Sequence, residues 1–291
     1  MCESESGGLI SESHAPYCIA SGTRPSPRGG VVVAANAAVG VELHERVLGE
    51  AGDGRRQVVL GRGLNATELI RSEIMKLGLI LKNLGNLKEA EVSIRKAIEI
   101  NPNYATALSN LGLILKELGK LQEAEVSIRK AIEIKPDYAE AYSNLGTVLR
   151  NLGKLQEAEV SIRKAIELSP NSAEVYSNLG TVLRELGRSQ EAEVSIRKAI
   201  ELSPNLFSSH FLLANILIGQ KKLQEAEQPL RKTIELNPGF VQAHLNLGAV
   251  LKDLGQLQEA EISTRKLIEL SPNLFNAHFL LSSILIAQKK I

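Results

Sequence analysis

Apolar side chains recur every three or four residues along most of this chain, the spacing of a helix that buries one face. Residues 139–172 show the pattern most clearly, in the sequence AEAYSNLGTVLRNLGKLQEAEVSIRKAIELSPNS. Two periodic segments are separated there by Leu152, Gly153 and Lys154, so the pattern predicts two helices joined by a tight turn. One such hairpin cannot cover its own apolar faces, and we therefore expect neighbouring hairpins to stack.

The hairpin pattern repeats with a period of 34 residues. Because proline lacks the backbone N–H and disfavours helical geometry in the residue before it, a proline closes the second helix of each unit. The six prolines in register are Pro102, Pro136, Pro170, Pro204, Pro238 and Pro272. We predict an all-α array over residues 65–291. Its units are 71–104, 105–138, 139–172, 173–206, 207–240 and 241–274, with a partial seventh unit at 275–291.

Small residues recur in each unit for separate mechanical reasons. Gly153 follows the first helix, where a left-handed conformation costs a residue without Cβ least. Gly146 in the first helix and Ala158 in the second allow the two axes to approach to roughly 8–10 Å. Equivalent glycines and alanines stand in most of the other units, so we expect the same close contact throughout the array.

This combination closely resembles the tetratricopeptide repeat, through its period, the Leu145–Gly146 pair, the small Ala158 and the closing Pro170. The resemblance implies an α-solenoid, a right-handed superhelix of antiparallel helix pairs whose first helices line a concave, peptide-binding face. The family's large aromatic at the fourth position of the unit is present as Tyr142 and Tyr176. We expect looser or different packing in the units that lack it, which carry Ile74, Leu108, His210, His244 and His278.

Residues 1–64 have a different composition from the array. Eleven of the 23 glycines lie in residues 1–70, which contain no lysine, and residues 21–30 lack the apolar period that a core needs. We expect a low-complexity, largely disordered segment. Gly61, Gly63 and Ala66 superficially fit a dinucleotide-binding turn, but no βαβ unit follows them, and a linker is the preferred interpretation.

Composition and charge limit the classes of partner that this protein is expected to bind. The net charge of +1, from 34 basic and 33 acidic residues, supplies no field that would attract nucleic acid or an anionic membrane. No apolar run approaches the roughly 18–20 residues of a membrane span. Glu3 and Glu5 stand where a signal peptide is basic, and Cys2 and Cys18 do not have the spacing of a zinc or disulfide motif. We expect a cytoplasmic protein that recognises a protein or peptide locally.

No motif indicates catalysis, and we nominate no catalytic residue, cofactor or metal ligand. His210, His244 and His278 are evenly spaced by 34 residues, yet equivalent atoms of stacked helices lie roughly 8–10 Å apart. Two nitrogens that each bind one zinc at about 2 Å are much closer together. We interpret the three histidines as packing residues and expect the protein not to be an enzyme.

A row of asparagines occupies the sixth position of the first helices, directly before the Leu-Gly pair. Its members are Asn110, Asn144, Asn178 and Asn246. The resemblance implies that this position points into the groove. A carboxamide both donates and accepts, so such a row can hold an extended peptide by its backbone. The alternative is a polar helix position that faces solvent.

Six residues further on, the same surface carries a basic side chain in five units. These residues are Lys82, Lys116, Arg150, Arg184 and Lys252. They are suited to acidic side chains or to a C-terminal carboxylate. In the fifth and seventh units apolar residues, among them Phe211 and Phe279, replace the polar ones. We expect that end to receive a hydrophobic side chain, a second copy of the array or further helices.

Three functions remain open at this point. The first is a non-catalytic scaffold that binds an extended peptide or partner protein in the groove. The asparagine row is also similar to that in the repeat region of O-linked N-acetylglucosamine transferases, which implies the substrate-recognition arm of a glycosyltransferase or sulfotransferase whose catalytic domain is absent. The third is a structural array that self-associates through its apolar C-terminal end. The doublet Arg163–Lys164 of the second helix is interpreted as a solvated face, with an anion-binding stripe as the alternative.

Overall fold

The computed structural model describes the backbone of residues 66–289 and the side chains of residues 67–289. The disordered segment expected at residues 1–64 and the suggested dinucleotide-binding turn therefore lie outside the described residues, apart from Ala66. Over the described range the chain forms thirteen α-helices and no strand. In chain order they are α1 (Ala66–Asn83), α2 (Leu87–Ile100), α3 (Ala105–Glu117), α4 (Leu121–Ile134), α5 (Ala139–Asn151), α6 (Leu155–Leu168), α7 (Ala173–Glu185), α8 (Ser189–Leu202), α9 (Phe207–Gly219), α10 (Leu223–Leu236), α11 (Val241–Asp253), α12 (Leu257–Leu270) and α13 (Phe275–Ala287).

Each helix packs against the helix before it and the helix after it, and the first helices of successive units also touch. In the third unit, α6 buries Ala158, Ile162 and Ala165 completely, a spacing of four and three residues that places all three on one face. Full burial of a side chain such as Ile162 contributes roughly 1.5–3 kcal/mol. The same three positions are buried in every second helix from α2 to α12. The predicted α-solenoid of stacked helix pairs is confirmed.

The turn between the two helices of a unit has a left-handed residue. Gly153 has φ +75°, its N–H donates to the carbonyl of Arg150 at 2.9 Å, and the N–H of Lys154 donates to that of Leu149 at 2.9 Å. This pair of bonds satisfies the last carbonyls of α5. The fifth unit makes the same turn with Lys221 at φ 60°, so the turn survives without glycine at the cost of strain.

The fourth position is filled differently in the units that lack tyrosine. The Nε2–H groups of His210, His244 and His278 donate to the carbonyls of Pro204, Pro238 and Pro272 at 2.8, 2.9 and 2.7 Å. Because a carbonyl only accepts, the proton of each ring is on Nε2. Each histidine thus ties its first helix to the proline turn that precedes it. Within the described residues, no group of three or more His, Cys, Asp or Glu side chains is placed to hold a metal ion.

Candidate functional site

The asparagine face is defined here as the surface of the first helices that carries their sixth and twelfth positions. Two of its asparagines link neighbouring units. The Asn144 Nδ2 donates to Ser109 Oγ at 3.1 Å, and the Asn178 Nδ2 donates to Ser143 Oγ at 3.2 Å. Each bond crosses from one first helix to the previous one, so the carboxamides join α3, α5 and α7 in a continuous polar row.

The row changes at both of its ends. Asn246 donates to Asn215 Oδ1 at 2.8 Å and accepts a bond from Gln242 at 3.0 Å, which occupies both ends of its carboxamide. Asn110 follows a unit with Met75 at the serine position, and its side chain makes no hydrogen bond within the described part of the chain. The alternative of a purely solvent-facing position does not describe Asn144 and Asn178, which are half-buried and bonded to the previous unit.

Basic side chains lie side by side at the twelfth position of the first four units. Lys82 Nζ is 3.4 Å from Glu117 Oε1, which joins α1 to α3. Burial lowers the pKa of the half-buried Lys116 ammonium, and the positive charges of Arg150 and Lys82 lower it further, although Glu117 opposes them. Arg150 donates to Asn151 Oδ1 at 3.2 Å. Lys82 and Arg150 therefore repel Lys116, and the carboxylate that opposes them is that of Glu117.

The fifth and sixth units give the asparagine face an apolar border. Phe211 packs edge-to-face against Phe240 with ring centroids 4.8 Å apart, and Phe207 packs against the same ring at 5.5 Å. In this cluster Phe211 is half-buried, so it presents one side of a ring rather than an open pocket. Lys252 lies 3.5 Å from Asp253, so that this basic residue already has a neighbouring carboxylate.

The last helix exposes the counterparts of these rings. Phe275 and Phe279 of α13 stack with centroids 6.4 Å apart and are 76% and 67% exposed, while Ile286 is 63% exposed. The neighbouring Leu280 is buried against α11, so it does not belong to the open surface. The apolar patch of α13 therefore consists of Phe275, Phe279 and Ile286.

Charges on the second helices are neutralised by pairs within the protein. Arg163 Nη2 is 2.8 Å from Glu159 and 3.7 Å from Glu191 of the next unit, and Lys164 Nζ is 2.8 Å from Glu167. Both members of the doublet therefore have a carboxylate partner. This pairing favours the interpretation as a solvated face over the anion-binding stripe.

Two serines and one tyrosine beside the asparagine face were not predicted from the sequence. Ser109 and Ser143 accept the bonds of the asparagines, and both are buried. Tyr138, just before α5, donates to Glu140 Oε2 at 3.3 Å, and burial, followed by the Glu140 charge, raises the pKa of its phenol. The serines recur directly before the asparagines with the same 34-residue period, and that register is the signal that could have identified them.

A stack of helix pairs with a polar row on its first helices defines a helical-repeat protein. Models of the tetratricopeptide repeat match residues 137–205, 177–239 and 230–262, and a TPR repeat model matches residues 78–119 and 112–153. Together the matches run from residue 78 to residue 262. The chain belongs to the tetratricopeptide-repeat proteins. No curated protein matches the sequence.

Solved structures share the fold. YrrB, described as a TPR protein with an unusual peptide-binding site, is 26% identical over 68% of this chain and 98% of its own, with a TM-score of 0.52. PilF of Pseudomonas aeruginosa is 23% identical over 75% of this chain and all of its own, with a TM-score of 0.67. PilW, a type IV pilus biogenesis factor, is 22% identical over 73% of this chain and 98% of its own, with a TM-score of 0.67. None of the helices described here is long and apolar enough to cross a membrane.

Proposed function

We propose that this protein is a non-catalytic, cytoplasmic scaffold that binds an extended polypeptide along the asparagine face. The carboxamides of Asn144 and Asn178 carry the proposal. Each carboxamide donates one N–H to a serine. Its second N–H and its carbonyl oxygen can pair with the carbonyl and the N–H of a peptide backbone. The peptide-binding site of the similar YrrB also supports a role in protein interaction.

The cations of the asparagine face favour an acidic ligand. Lys82, Lys116, Arg150 and Arg184 stand at the same position of four successive units. Burial, and after it the charges of Arg150 and Lys82, lowers the pKa of Lys116, and a carboxylate between Lys116 and Arg150 would offset these effects. Hydrogen bonds between charged groups also contribute more than neutral ones. We therefore propose a ligand that carries several aspartate or glutamate residues.

The unit spacing sets a register for these acidic residues. Neighbouring first helices contact each other, so their axes lie roughly 8–10 Å apart. A peptide in the polyproline II conformation rises about 3.1 Å per residue with three residues per turn, so three residues span one unit and every third side chain lies on the same side. The proposed ligand has an acidic side chain at every third position.

Fluorescence anisotropy with two labelled peptides of identical composition tests this register. One peptide carries four aspartates at every third position, and the other carries the same four in a block. We expect the spaced peptide to bind about tenfold more tightly, because only its carboxylates can each meet a different unit. Equal affinities would contradict the register, and no binding of either peptide would contradict the proposed function.

A pair of double variants locates the binding surface. Lys116→Ala with Arg150→Ala removes two cations from the asparagine face, and Arg163→Ala with Lys164→Ala removes two from the second helix α6. The two proteins have equal net charge, so a general electrostatic effect would weaken both alike. We expect the first to lose roughly ten- to hundredfold in affinity for the spaced peptide and the second to bind like wild type. The opposite order would place the site on the second helices.

The asparagines are tested with an uncharged peptide, which isolates the contacts to the backbone. Asn144→Ala with Asn178→Ala is expected to weaken binding by roughly five- to a hundredfold. This variant also loses two bonds to buried serines, so we expect it to lose about 1–3 kcal/mol of stability. Binding is therefore measured well below its melting temperature. Unchanged affinity would assign the carboxamides a purely structural role.

Self-association is a second candidate, favoured by the patch of Phe275, Phe279 and Ile286 on α13. Light scattering of Phe275→Ser with Phe279→Ser compares this patch with Val160→Ser and Val194→Ser, which change two other side chains that are each 70% exposed. If α13 forms a symmetric dimer contact, only the phenylalanine variant reduces the mass from dimer to monomer. A monomeric wild type would exclude this function.

The substrate-recognition arm of a glycosyltransferase uses the same asparagine face. The asparagine row favours this alternative, which differs from the scaffold in one respect, because an arm must increase the reaction of a catalytic domain. Adding the protein to such a domain and to the spaced peptide distinguishes them. A rise in the rate that Asn144→Ala with Asn178→Ala abolishes would favour the arm, and an unchanged rate would favour the scaffold.

A further inference from the structure

The fourth position of the third and fourth units is a tyrosine. Each of these tyrosines interacts with a lysine of the second helix of its unit. Glu167 above all raises the pKa of Lys164, and the Tyr142 phenol acts in the same direction. Tyr176 has the same effect on Lys198, where Glu201 is the main cause. Each phenol therefore lies within electrostatic reach of the lysine on the second helix of its own unit.

The second unit has the same frame with a different side chain in it. Ser127 Oγ donates to the carbonyl of Leu108 at 2.9 Å, as Ser161 Oγ does to that of Tyr142 at 2.9 Å. Arg95 of α2 is 3.1 Å from Glu123 of α4. The equivalent residues one unit further on, Arg129 and Glu157, are 3.0 Å apart. The backbone and its surroundings are thus alike, and the substitution of leucine for tyrosine is the main difference.

A cavity of about 560 Å³ is lined in part by Leu108, the residue of the second unit that stands at the position of Tyr142. It opens between α2 and α4, and the buried Leu108, Leu111 and Leu115 form part of its lining. Lys130 stands on its edge, at the position that Lys164 has beside Tyr142. We call this space the unit-two groove.

We propose that the unit-two groove binds one tyrosine side chain of a partner polypeptide. The third unit provides the template within the same protein, because the phenol of its Tyr142 acts on Lys164, the counterpart of Lys130 on the edge of the groove. The leucines would cover the ring, and Lys130 would face the hydroxyl. This site opens between the second helices α2 and α4 and has side chains of α3 in its lining, and it does not depend on the proposed function of the asparagine face.

The third to sixth units fill this position with a tyrosine or a hydrogen-bonded histidine, whereas the groove described above lies at the second unit. Tyr142 and Tyr176 supply rings, while His210 and His244 are held by bonds to proline carbonyls. Leu108 has neither a ring nor a polar group. A tyrosine from a partner would restore at this unit the arrangement that the next two units have by themselves.

N-acetyl-L-tyrosinamide is the probe for the site, with N-acetyl-L-leucinamide as its control. Nuclear magnetic resonance of the amides of Ser127 and Lys130 reports on the groove. For a ligand of this size we expect a Kd on the order of 1 mM, with the leucine compound at least about fivefold weaker. Leu108→Tyr fills the groove and is expected to abolish the shifts of these amides. Unchanged binding by this variant, once circular dichroism shows it folded, would overturn the proposal.

The reciprocal variant uses the chain's own template. Tyr142→Leu empties the equivalent position of the third unit and is expected to create a second site, seen as new shifts at Ser161 and Lys164 in addition to those at Ser127 and Lys130. This result does not depend on whether Leu108→Tyr folds. If folded Tyr142→Leu shows no new shifts, an absent ring does not make a tyrosine site, and the proposal fails.

Discussion

At the scale of single residues, one contact determines how closely the two helices of a unit approach. A Cβ on Gly146 would lie 2.3 Å from Ile162 Cγ1 and 3.2 Å from the Ala158 carbonyl oxygen, so glycine and isoleucine occupy this contact together. The fifth unit changes both residues, to Ala214 and Leu230, and buries both completely. Leucine branches one carbon later than isoleucine, which leaves room beside its Cβ for the extra methyl group.

This pairing predicts the behaviour of Gly146→Ala. We expect the variant to lose about 1–3 kcal/mol of stability through overpacking, although alanine favours a helix by about 1 kcal/mol over glycine. Adding Ile162→Leu should recover most of the loss, because it recreates the Ala214–Leu230 pair. Urea denaturation measures the stability of the wild type, of each single variant and of the double variant. Additive losses in the double variant would show that the two positions do not share a contact.

Single residues also show what the sequence could predict about the site. The positions of Asn144 and Asn178 on one surface follow from their spacing of 34 residues. Their bonds to Ser109 and Ser143 do not, because each partner lies 35 residues away and the distance depends on how one hairpin rotates against the next. The sequence likewise does not distinguish Leu280 from its neighbour Phe279, and it is the packing of α13 on α11 that buries Leu280 and leaves Phe279 exposed.

At the scale of elements, the second helices are joined to one another by carboxylates that each accept from two sides. Glu125 of α4 binds Arg129 of its own helix at 2.9 Å and Lys154, which precedes α6, at 2.9 Å. Its side chain is only 13% exposed, whereas Arg129 and Lys154 are 46% and 43% exposed. The chain repeats this arrangement with Glu91 and Lys120, and each copy joins one unit to the next.

These carboxylates predict acid sensitivity. The hydrogen bond from Lys154 holds the pKa of Glu125 below its usual value, and Arg129 adds to the effect against the opposing influence of burial. A carboxyl with a lowered pKa stabilises the folded state above the unfolded value near 4.3, and this contribution is lost as the pH falls through the folded pKa. We expect the free energy of unfolding to fall between about pH 5 and pH 3, with a gentler slope in Glu125→Gln.

Urea unfolding at several pH values measures this slope, and Lys154→Gln provides the matched variant. It removes the partner and keeps the carboxyl, so the pKa of Glu125 should move towards its ordinary value and the slope should again be gentler. The difference is at most about 1.4 kcal/mol per pH unit for one group. Identical slopes in the three proteins would assign the acid sensitivity to other residues.

Helices were the most predictable elements, because apolar spacing and stop signals agree in every unit. Their end contacts were not, since the same helix sequence has different surroundings in two places. Residues 206–223 and 274–291 are close copies, yet Phe211 in α9 packs on Phe240 while Phe279 in α13 is exposed. Periodicity reports which face of a helix is apolar, and neighbours along the array decide whether that face is covered.

At the scale of the whole molecule, stability is a sum over neighbouring units. In the middle of the array, α5 packs against α3, α4, α6 and α7, whereas α13 packs against α11 and α12. We expect hydrogen exchange to protect the amides of α5 most and those of α13 least, because a helix with fewer neighbours opens locally without the rest. Equal protection of the two helices would indicate a single cooperative transition or a partner on α13.

The serine and asparagine that join successive units stand at the same positions in each unit, so that neighbouring units are interchangeable at these contacts. If residues 139–172 were excised, Asn178 would meet Ser109 in place of Ser143, and Arg129 would meet Glu191 in place of Glu157. Both contacts would join the same types of side chain as they do now. Gain or loss of one unit therefore keeps these contacts, and under the proposed function it changes the length of peptide that fits along the asparagine face by about three residues.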